Sequence, residues 1–284
     1  MLKFNIMKKN VHIKTHNLCR NLYHYIYNDE IKNSKITLDL SEMTNLHPMG
    51  ITTIAMFISS HAEKDCAVTM IPPKKWTVRE IYEVNGLEKI CHIGKQNPNQ
   101  TTTNQEWNEM SVKLITPYNK IEFFEMIEKE WKHYYHVDEI NTLKFYLSEL
   151  INNVHRHSYS PIDAFVGCFY YPETNSIGVS VADLGITIPV SINYNLLING
   201  KETMSEINCI EEVMHYDDGG LNPEKTHGLN SLFNDVKKKS NHMLLYSGKL
   251  AFGYSNGDIM TSDIEDSSIP GTNVQAYITH KYVN

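Results

Sequence analysis

The most informative segment of the chain is SELINNVHRHS, residues 148–158, which completes a stretch of helical spacing running from Glu139 to His157. At about 100° per residue, one face of this helix carries an apolar stripe made of Leu143, Leu147, Leu150 and Val154. Glu149, Asn153 and His157 fall within about 80° of one another on the flank beside that stripe. A carboxylate, an amide and an imidazole aligned in this way fit a functional site at the edge of a core. By spacing alone they fit an exposed polar face as well.

A second candidate segment ends a hydrophobic strand, where Asp183 and Gly185 directly follow Val181-Ala182. A carboxylate at the end of a buried strand can accept hydrogen bonds from a ligand, and a glycine two residues later lets a flat ligand approach the backbone. The Asp-x-Gly pattern is also common in ordinary β-turns, so this segment alone leaves both interpretations open.

A third candidate segment is the polar, glycine-bearing stretch 215–228, which leads directly into a predicted helix near Leu229. Free amides and the helix dipole favour anions at a helix N-terminus, so the stretch fits a phosphate-binding loop, and a plain surface loop is the alternative. Further along the chain, Ile269-Pro270-Gly271-Thr272 leads into the last predicted strand.

Taken in this order, the segments resemble the GHKL ATP-binding domain over roughly Val112 to Asn284. This superfamily includes gyrase-type topoisomerases, histidine kinases and bacterial anti-sigma-factor kinases. Glu149-Leu150-x-x-Asn153-x-x-x-His157-Ser158 looks like the family's N box. The resemblance implies that Asn153 is the Mg²⁺ ligand, Glu149 the candidate general base and His157 a residue on the phosphate side. A hard ion such as Mg²⁺ needs only one or two protein oxygens beside the phosphates.

The other segments take their expected roles from the same resemblance. Asp183 and Gly185 look like the start of the G1 box, with Asp183 accepting a hydrogen bond from the adenine amino group. The second glycine of that box is replaced by Thr187. The remaining positions expected to bind the nucleotide belong to the G2 and G3 boxes and are Gly228, Leu229, Gly271 and Thr272.

Two departures from the family pattern bear on catalysis. Thr187 stands at the second glycine of the G1 box, and Thr226 stands at the first glycine of the G2 box. Both changes stiffen or crowd the region that closes over the phosphates, so they count against turnover more than against binding. No paired-helix segment with a histidine followed by an acidic residue precedes this domain, which argues against a self-phosphorylating histidine kinase.

The N-terminal part has a weaker resemblance to the STAS domain, the fold of anti-sigma-factor antagonists. The residues that carry it run from Ile36 to Ser41 and from Leu46 to Ile51. In that family the second stretch usually bears an Asp-Ser pair whose serine is phosphorylated, whereas this chain has His47, Pro48 and Met49. With no hydroxyl at that position, the resemblance implies a docking or scaffold module rather than a kinase substrate.

Composition bounds the remaining possibilities. The 284 residues are enough for about two domains, and 41% hydrophobic with 21% charged residues fit a globular protein. A net charge of −7 argues against direct nucleic-acid binding, and the five cysteines, odd in number and without a Cys-x-x-Cys, fit reduced thiols in a cytoplasmic protein. The longest apolar runs are far shorter than the ~20 residues that span a bilayer, so we expect no membrane association.

Periodicity predicts an α/β fold with two domains and a polar linker between them. The linker is the Asn-, Gln- and Thr-rich stretch near residues 96–111, which separates a STAS-like α/β domain (1–95) from a two-layer GHKL-type α/β sandwich with a mostly antiparallel sheet (112–284). Strands are predicted at 35–40, 66–71, 112–115, 164–171, 176–182, 242–246, 250–254 and 272–279. Helices are predicted at 51–60, 76–84, 121–133, 139–157, 206–214 and 229–238.

Three local details follow from the same patterns. Pro48-Met49-Gly50 is predicted to be a turn before the first helix. Asp138 is predicted to be the N-cap of the helix that contains Glu149. The strand 176–182 alternates Ile177, Val179 and Val181 with small or polar residues, which predicts a strand with one buried face.

These expectations combine into a bacterial signalling protein that uses Mg·ATP to phosphorylate or clamp a protein partner. As an enzyme it would be a Ser/Thr protein kinase of the anti-sigma-factor type, or a slow ATPase in defence or DNA processing whose lid closure drives homodimer formation. The non-enzymatic alternative is a module that binds ATP as a signal and does not turn it over. Glu149 favours catalysis, while Thr187 and Thr226 favour the alternative.

Overall fold

The computed structural model describes residues 9–14, 22, 25–26, 31–44, 46–75, 113–132, 135–171, 176–215, 227–239, 241–264 and 268–279. Within these residues the chain forms ten strands, six α-helices and one π-helical turn. Three strands make a small parallel sheet with the order β1-β2-β3, and they are β1 (Lys9–Lys14), β2 (Ser34–Asp39) and β3 (Ala67–Ile71). The fold is therefore mixed α/β, as the sequence predicted.

A seven-stranded sheet, antiparallel throughout the pairs that are described, forms the centre of the C-terminal part. Its order is β4-β5-β6-β10-β7-β8-β9. Its strands are β4 (Lys113–Ile115), β5 (Ala164–Tyr171), β6 (Ser176–Ala182), β7 (His242–Gly248), β8 (Leu250–Ser255), β9 (Asp258–Asp263) and β10 (Ile269–Thr279). The bounds of β5 and β6 are those that the alternating sequence predicts, and the mostly antiparallel sheet is confirmed.

Helices cover both faces of this sheet. In chain order the helices are α1 (Pro48–Glu63), α2 (Lys120–Trp131), α3 (Val137–Asn153), α4 (Ile188–Ile198), α5 (Glu206–His215) and α6 (His227–Lys238). Helices α2, α3, α5 and α6 share one hydrophobic core with the face of the sheet that carries Val179, Val181 and Val274. The edge of this core, between α3 and the ends of β6 and β10, is where the candidate site lies.

The opposite face of the sheet packs against α1, so the described residues before Lys75 and the large sheet share a second core. A buried polar cluster fastens the two together. The Ser180 hydroxyl donates to Asn273 Oδ1 at 3.0 Å and lies 2.9 Å from the Thr52 hydroxyl, and the Asn273 amide donates to the Thr53 hydroxyl at 3.2 Å. Because buried polar groups need partners, this cluster fixes where α1 sits on the sheet.

The packing of α1 corrects the prediction that β6 has a single buried face. All seven residues of β6 are buried, because Gly178, Ser180 and Ala182 face the N-terminal helix while Ile177, Val179 and Val181 face the other core. Small residues on one face of a strand therefore mark a close helix contact here. No local pattern distinguishes that arrangement from a solvent-facing side.

Two predicted helix starts are also wrong. Pro48-Met49-Gly50 is the first turn of α1, since proline at the first position of a helix needs no N–H and has a suitable φ. The N-cap of α3 is His136, whose N–H donates to the Glu139 carboxylate at 3.3 Å. Asp138 lies inside the first turn, where its negative charge interacts favourably with the helix dipole.

Several predicted features lie outside the described residues. They are the linker 96–111, the helix at 76–84 and most of the stretch 215–228, including Thr226. The division into two domains therefore stays a prediction. Among the described residues, no helix combines the length and the apolar character needed to cross a membrane.

Candidate functional site

Helix α3 ends in a π-helical turn, Val154–Ser158, directly after Asn153. The turn closes with the Ser158 hydroxyl donating to the Val154 carbonyl at 2.7 Å, and the next residue, Tyr159, has φ +49°. A π-helical turn rotates by less per residue about the helix axis than an α-helix does. The direction of His157 therefore does not follow from the 100° per residue that places Glu149 and Asn153 on one flank. Such turns are rare and are often found at functional sites.

The structure brings the four predicted segments together through three glycines. A side chain at Gly228 would overlap Cβ of Glu149, and one at Gly185 would overlap the carbonyl oxygen of Ser158. Gly271, at φ +62°, lies so close to Asp183 that any Cβ would collide with its backbone and its carboxylate. Residues far apart in sequence thus meet at positions where only glycine fits, which is the close backbone approach that binding loops require.

A cavity of about 230 Å³ opens between these segments and helix α4. Five predicted site residues line it, namely Asn153, His157, Asp183, Leu229 and Thr272. Most of its wall is apolar and consists of Leu150, Val154, Val181, Ile186, Ile188, Ile192, Leu196, Val213, Leu229 and Val274. A concave apolar pocket with a few converging polar groups is the usual form of a small-molecule site, although this volume lies below the typical range of ~300–1,000 Å³.

Asp183 is the most unusual group in the cavity, because its carboxylate is only 3% exposed and has no cation beside it among the described residues. The backbone N–H of Gly185 donates to Oδ1 at 2.7 Å, and the backbone amide of Thr272 also donates to the carboxylate. Burial raises the pKa of Asp183 to about 7, while these two hydrogen bonds oppose that rise. A buried acceptor with a perturbed pKa is typical of functional sites.

The remaining predicted residues lie beside or behind the cavity wall. Glu149 is half-buried against Gly228, and Gly185 and Gly271 support the backbone next to Asp183. Thr187 is the N-cap of α4, and its hydroxyl accepts from the Val190 N–H at 3.3 Å. Thr187 therefore starts a helix that forms one wall of the cavity, at a position where the sequence resemblance predicts a glycine.

Lys120 on α2 is a charged neighbour of Glu149 that the sequence did not single out. Its ammonium donates to Asn152 Oδ1 at 2.7 Å. Burial lowers the pKa of Lys120, the Glu149 carboxylate opposes that change, and Arg156 adds to it. The Lys120 ammonium therefore lies near enough to Glu149 for the two side chains to attract each other at the end of α3.

The two histidines of the segment 148–158 have different environments. His155 Nε2 lies 3.2 Å from the Ile115 carbonyl oxygen and 3.3 Å from the Asp163 carboxylate, so it ties α3 to the edge of the sheet. His157 lines the cavity. Of these two histidines, His157 is the one that the sequence resemblance names for the site, and its role stays a prediction.

A metal site made from protein side chains alone is absent from the described residues, where no group of three or more His, Cys, Asp or Glu side chains converges. Asn153, which lines the cavity, carries an amide oxygen, and such an oxygen is a donor type that Mg²⁺ accepts from proteins. Helix α6 begins at His227 beside Glu149, so its N-terminus is also placed to favour an anion.

Helix α4 and its C-cap supply polar cavity residues that the sequence did not single out. Ser191 and Asn195 line the cavity from the helix, and Asn199 lines it from the C-cap position. Their spacing of four residues was available in the sequence, but it has meaning only once the segment is known to be helical.

No protein-family model matches the chain, and no curated protein is significantly similar to it.

Proposed function

We propose that the cavity binds the adenine ring of ATP, and that residues 112–284 are a GHKL-type ATP-binding domain that follows a STAS-like module. The observation that carries the proposal is the buried Asp183 carboxylate at the end of β6, set in an apolar cavity between Gly185 and Gly271. Adenine is flat and largely apolar, and its exocyclic amine is a donor that such an acceptor can bind. The purine then lies between the apolar walls.

The proposed phosphate end of the site lies toward Asn153, His157 and the start of α6. Asn153 and His157 line the cavity, and Gly228 at the first turn of α6 touches Glu149. A helix N-terminus stabilises phosphate oxygens with its free amides. A bound Mg²⁺ would neutralise charge on the phosphates, and Asn153 is the side chain that we assign to hold it.

The proposed catalytic group is Glu149, acting as a general base on a hydroxyl of a protein partner or on water. Its carboxylate sits one helical turn before Asn153 and near the ammonium of Lys120. With a partner hydroxyl the reaction is that of a Ser/Thr protein kinase, and with water it is a slow ATPase that clamps its partner or a second copy. Both fit a cytoplasmic signalling protein, and both require that Glu149 lie within hydrogen-bond reach of the hydroxyl or water that attacks the γ-phosphate.

The non-catalytic alternative is an ATP-sensing interaction module. One observation favours it: Glu149 packs behind Gly228 and is not among the described residues that line the cavity. Thr187 also favours the non-catalytic alternative. As the N-cap of α4 it fixes a wall of the site, at a position where the resemblance predicts a flexible glycine. In that case nucleotide binding alone would change how the chain contacts its partner.

The proposed role of Asn153 is tested by replacing it with alanine. Affinity for a non-hydrolysable ATP analogue, measured by calorimetry, should fall roughly tenfold with Mg²⁺ present and change little without it, because only the metal contact is lost. Asn152→Ala is the matched control, since the neighbouring amide binds Lys120 rather than lining the cavity. Equal losses with and without Mg²⁺ would show that Asn153 is not the metal ligand.

A further inference from the structure

Strand β9 is one of the two edges of the seven-stranded sheet within the described residues, because its only partner there is β8. All six residues of β9 are exposed, and they include the large apolar side chains of Ile259 and Met260, which are 45% and 57% exposed. The register with β8 runs over all six residues without a bulge. The outer side of β9 is therefore a regular, extended edge to which a further strand can be added.

The hairpin between β8 and β9 decides which backbone groups of β9 face outward. Its two-residue loop, Asn256-Gly257, has φ values of +52° and +97°, as a tight hairpin turn requires. The residues that flank such a loop form a hydrogen-bonded pair, and pairs with and without hydrogen bonds then alternate along the strands. The N–H of Ile264, an even number of residues after Asp258, donates to the Lys249 carbonyl at 2.6 Å and agrees with this alternation. Three residues of β9 therefore turn their backbone N–H and C=O groups away from β8, and they are Ile259, Thr261 and Asp263.

This edge lacks most of the features that keep edge strands from pairing with other chains. Proteins protect exposed edges with proline, lysine, bulges or very short strands. Strand β9, with the sequence DIMTSD, contains no proline and no lysine, has no bulge and has an ordinary strand length. An open row of backbone donors and acceptors of this kind is what a protein offers when it binds a peptide by strand addition.

The charges of β9 indicate which kind of strand fits beside it. Asp258 and Asp263 stand at its two ends, both are exposed, and β9 has no basic residue. A second copy of the chain, paired antiparallel over the full length of β9, would place each Asp258 opposite an Asp263. Like charges in directly opposite positions are destabilising, whereas opposite charges there are stabilising. A strand with lysine or arginine at its ends therefore fits this edge better than a second copy does.

We propose that β9 is the docking site for an extended segment of a protein partner, which pairs antiparallel with β9 and places lysine or arginine side chains opposite Asp258 and Asp263. Main-chain hydrogen bonds to the outward groups of β9 supply affinity, while the two carboxylates and the apolar side chains of Ile259 and Met260 select the sequence. The inference does not depend on the nucleotide site, and it gives a position to the protein partner that the proposed function requires.

The test is an NMR titration of the isotope-labelled full chain with the capped hexapeptide KTTVVK. In antiparallel pairing its lysines lie opposite Asp258 and Asp263, and its valines lie opposite Ile259 and Met260. The peptide is added at millimolar concentration, because a short peptide loses much conformational freedom when it pairs. The amide signals of the three outward residues should shift saturably and more than those of the residues bonded to β8. The capped hexapeptide ETTVVE should bind at least roughly fivefold more weakly, since both of its end charges repel those of β9.

Thr261→Pro is the decisive variant, since proline removes the central outward N–H and leaves every hydrogen bond to β8 in place. It should abolish the saturable shifts, and thermal unfolding checks that the variant is folded. Thr261→Val keeps the N–H and is the matched control, which should bind KTTVVK as the wild type does. The double variant Asp258→Asn/Asp263→Asn leaves the backbone unchanged and should remove most of the preference for KTTVVK over ETTVVE.

Several outcomes would overturn the proposal. They are the absence of shifts at the outward amides, equal affinity for the two peptides, and binding that persists in a folded Thr261→Pro variant. Analytical ultracentrifugation tests the other occupant. A wild-type dimer that Thr261→Pro converts to a monomer would assign this edge to a second copy of the chain and would also overturn the proposal.

Discussion

Replacing Glu149 with glutamine should lower phosphate transfer or release from Mg·ATP by at least about a hundredfold and leave the affinity for ATP nearly unchanged. Glutamine keeps the shape of the side chain and its packing against Gly228, but it cannot take a proton. A general base typically contributes about 10²–10⁴-fold to the rate. The measurement is the initial rate of phosphate release, or of transfer to a protein encoded beside this one, alongside calorimetry for binding.

The matched control for this experiment is Glu128→Gln. Glu128 lies on α2, where it forms a surface ion pair with Lys144 at 2.7 Å and is half-exposed. Removing that charge should leave both turnover and binding as they are. A wild-type chain that binds ATP without any turnover would support the sensing module, and loss of binding in Glu149→Gln would mean that the carboxylate only holds the pocket together.

Replacing Asp183 with asparagine should weaken the binding of ATP and ADP alike by roughly 10- to 100-fold, since a hydrogen bond is removed from a buried site. The asparagine oxygen still accepts from the Gly185 N–H, so its nitrogen takes the place of the other carboxylate oxygen. The adenine amine would then meet a donor instead of an acceptor. Calorimetry with both nucleotides measures the effect, and Asp258→Asn, at an exposed position on β9, should not change it.

The stability of Asp183→Asn relative to the wild type should rise between pH 4 and pH 8. The pKa of Asp183 is raised from 3.8 to about 7 by burial, so between these values the folded protein holds a proton that the unfolded chain releases. The unfolded state binds fewer protons, and the stability of the wild type therefore falls as the pH rises through this window. Asparagine does not titrate. Thermal unfolding should show Asp183→Asn more stable relative to the wild type at pH 8 than at pH 4. A stability difference that does not depend on pH would contradict the raised pKa.

Local pattern was enough to predict the position and type of several elements. Strands β5 and β6 follow from apolar runs on either side of the turn residues 172–175, and helix α3 follows from the 3.6-residue period of its apolar stripe. Helix α4 was missed because Ile188–Ile198 contains no charged residue, has no apolar stripe confined to one side and is rich in β-branched side chains. Strand β9 was missed for the opposite reason, because all six of its residues are exposed.

Features that depend on distant contacts could not be predicted from local pattern. The docking of α1 on the sheet rests on hydrogen bonds from Thr52 to Ser180 and from Ser180 to Asn273, and each bond joins residues more than 90 positions apart in the sequence. The π turn after Asn153 likewise changes the direction of His157 without a sequence signal of its own. A regular helix was the natural expectation there.

Several residues of the candidate site could be named from the sequence, and their roles stay predictions. Asn153, His157, Asp183, Leu229 and Thr272 were named from the sequence, and all five line one cavity. The family resemblance supplied them, because a binding site is specified by residue types at the ends of several elements. The polar cavity residues Ser191 and Asn195 on α4 could not be named in that way, since they lie outside the motifs and are brought to the cavity only by the position of the helix.

The most direct test of the account is a comparison of ATP and GTP binding to the wild-type protein by calorimetry in the presence of Mg²⁺. Where adenine has an exocyclic amine, guanine has a carbonyl, so Asp183 would face an acceptor and the bound GTP would leave a buried group unpaired. We predict measurable ATP binding and at least a roughly hundredfold weaker affinity for GTP. Equal affinities for the two nucleotides, or no binding of ATP, would contradict the assignment of this cavity to adenine.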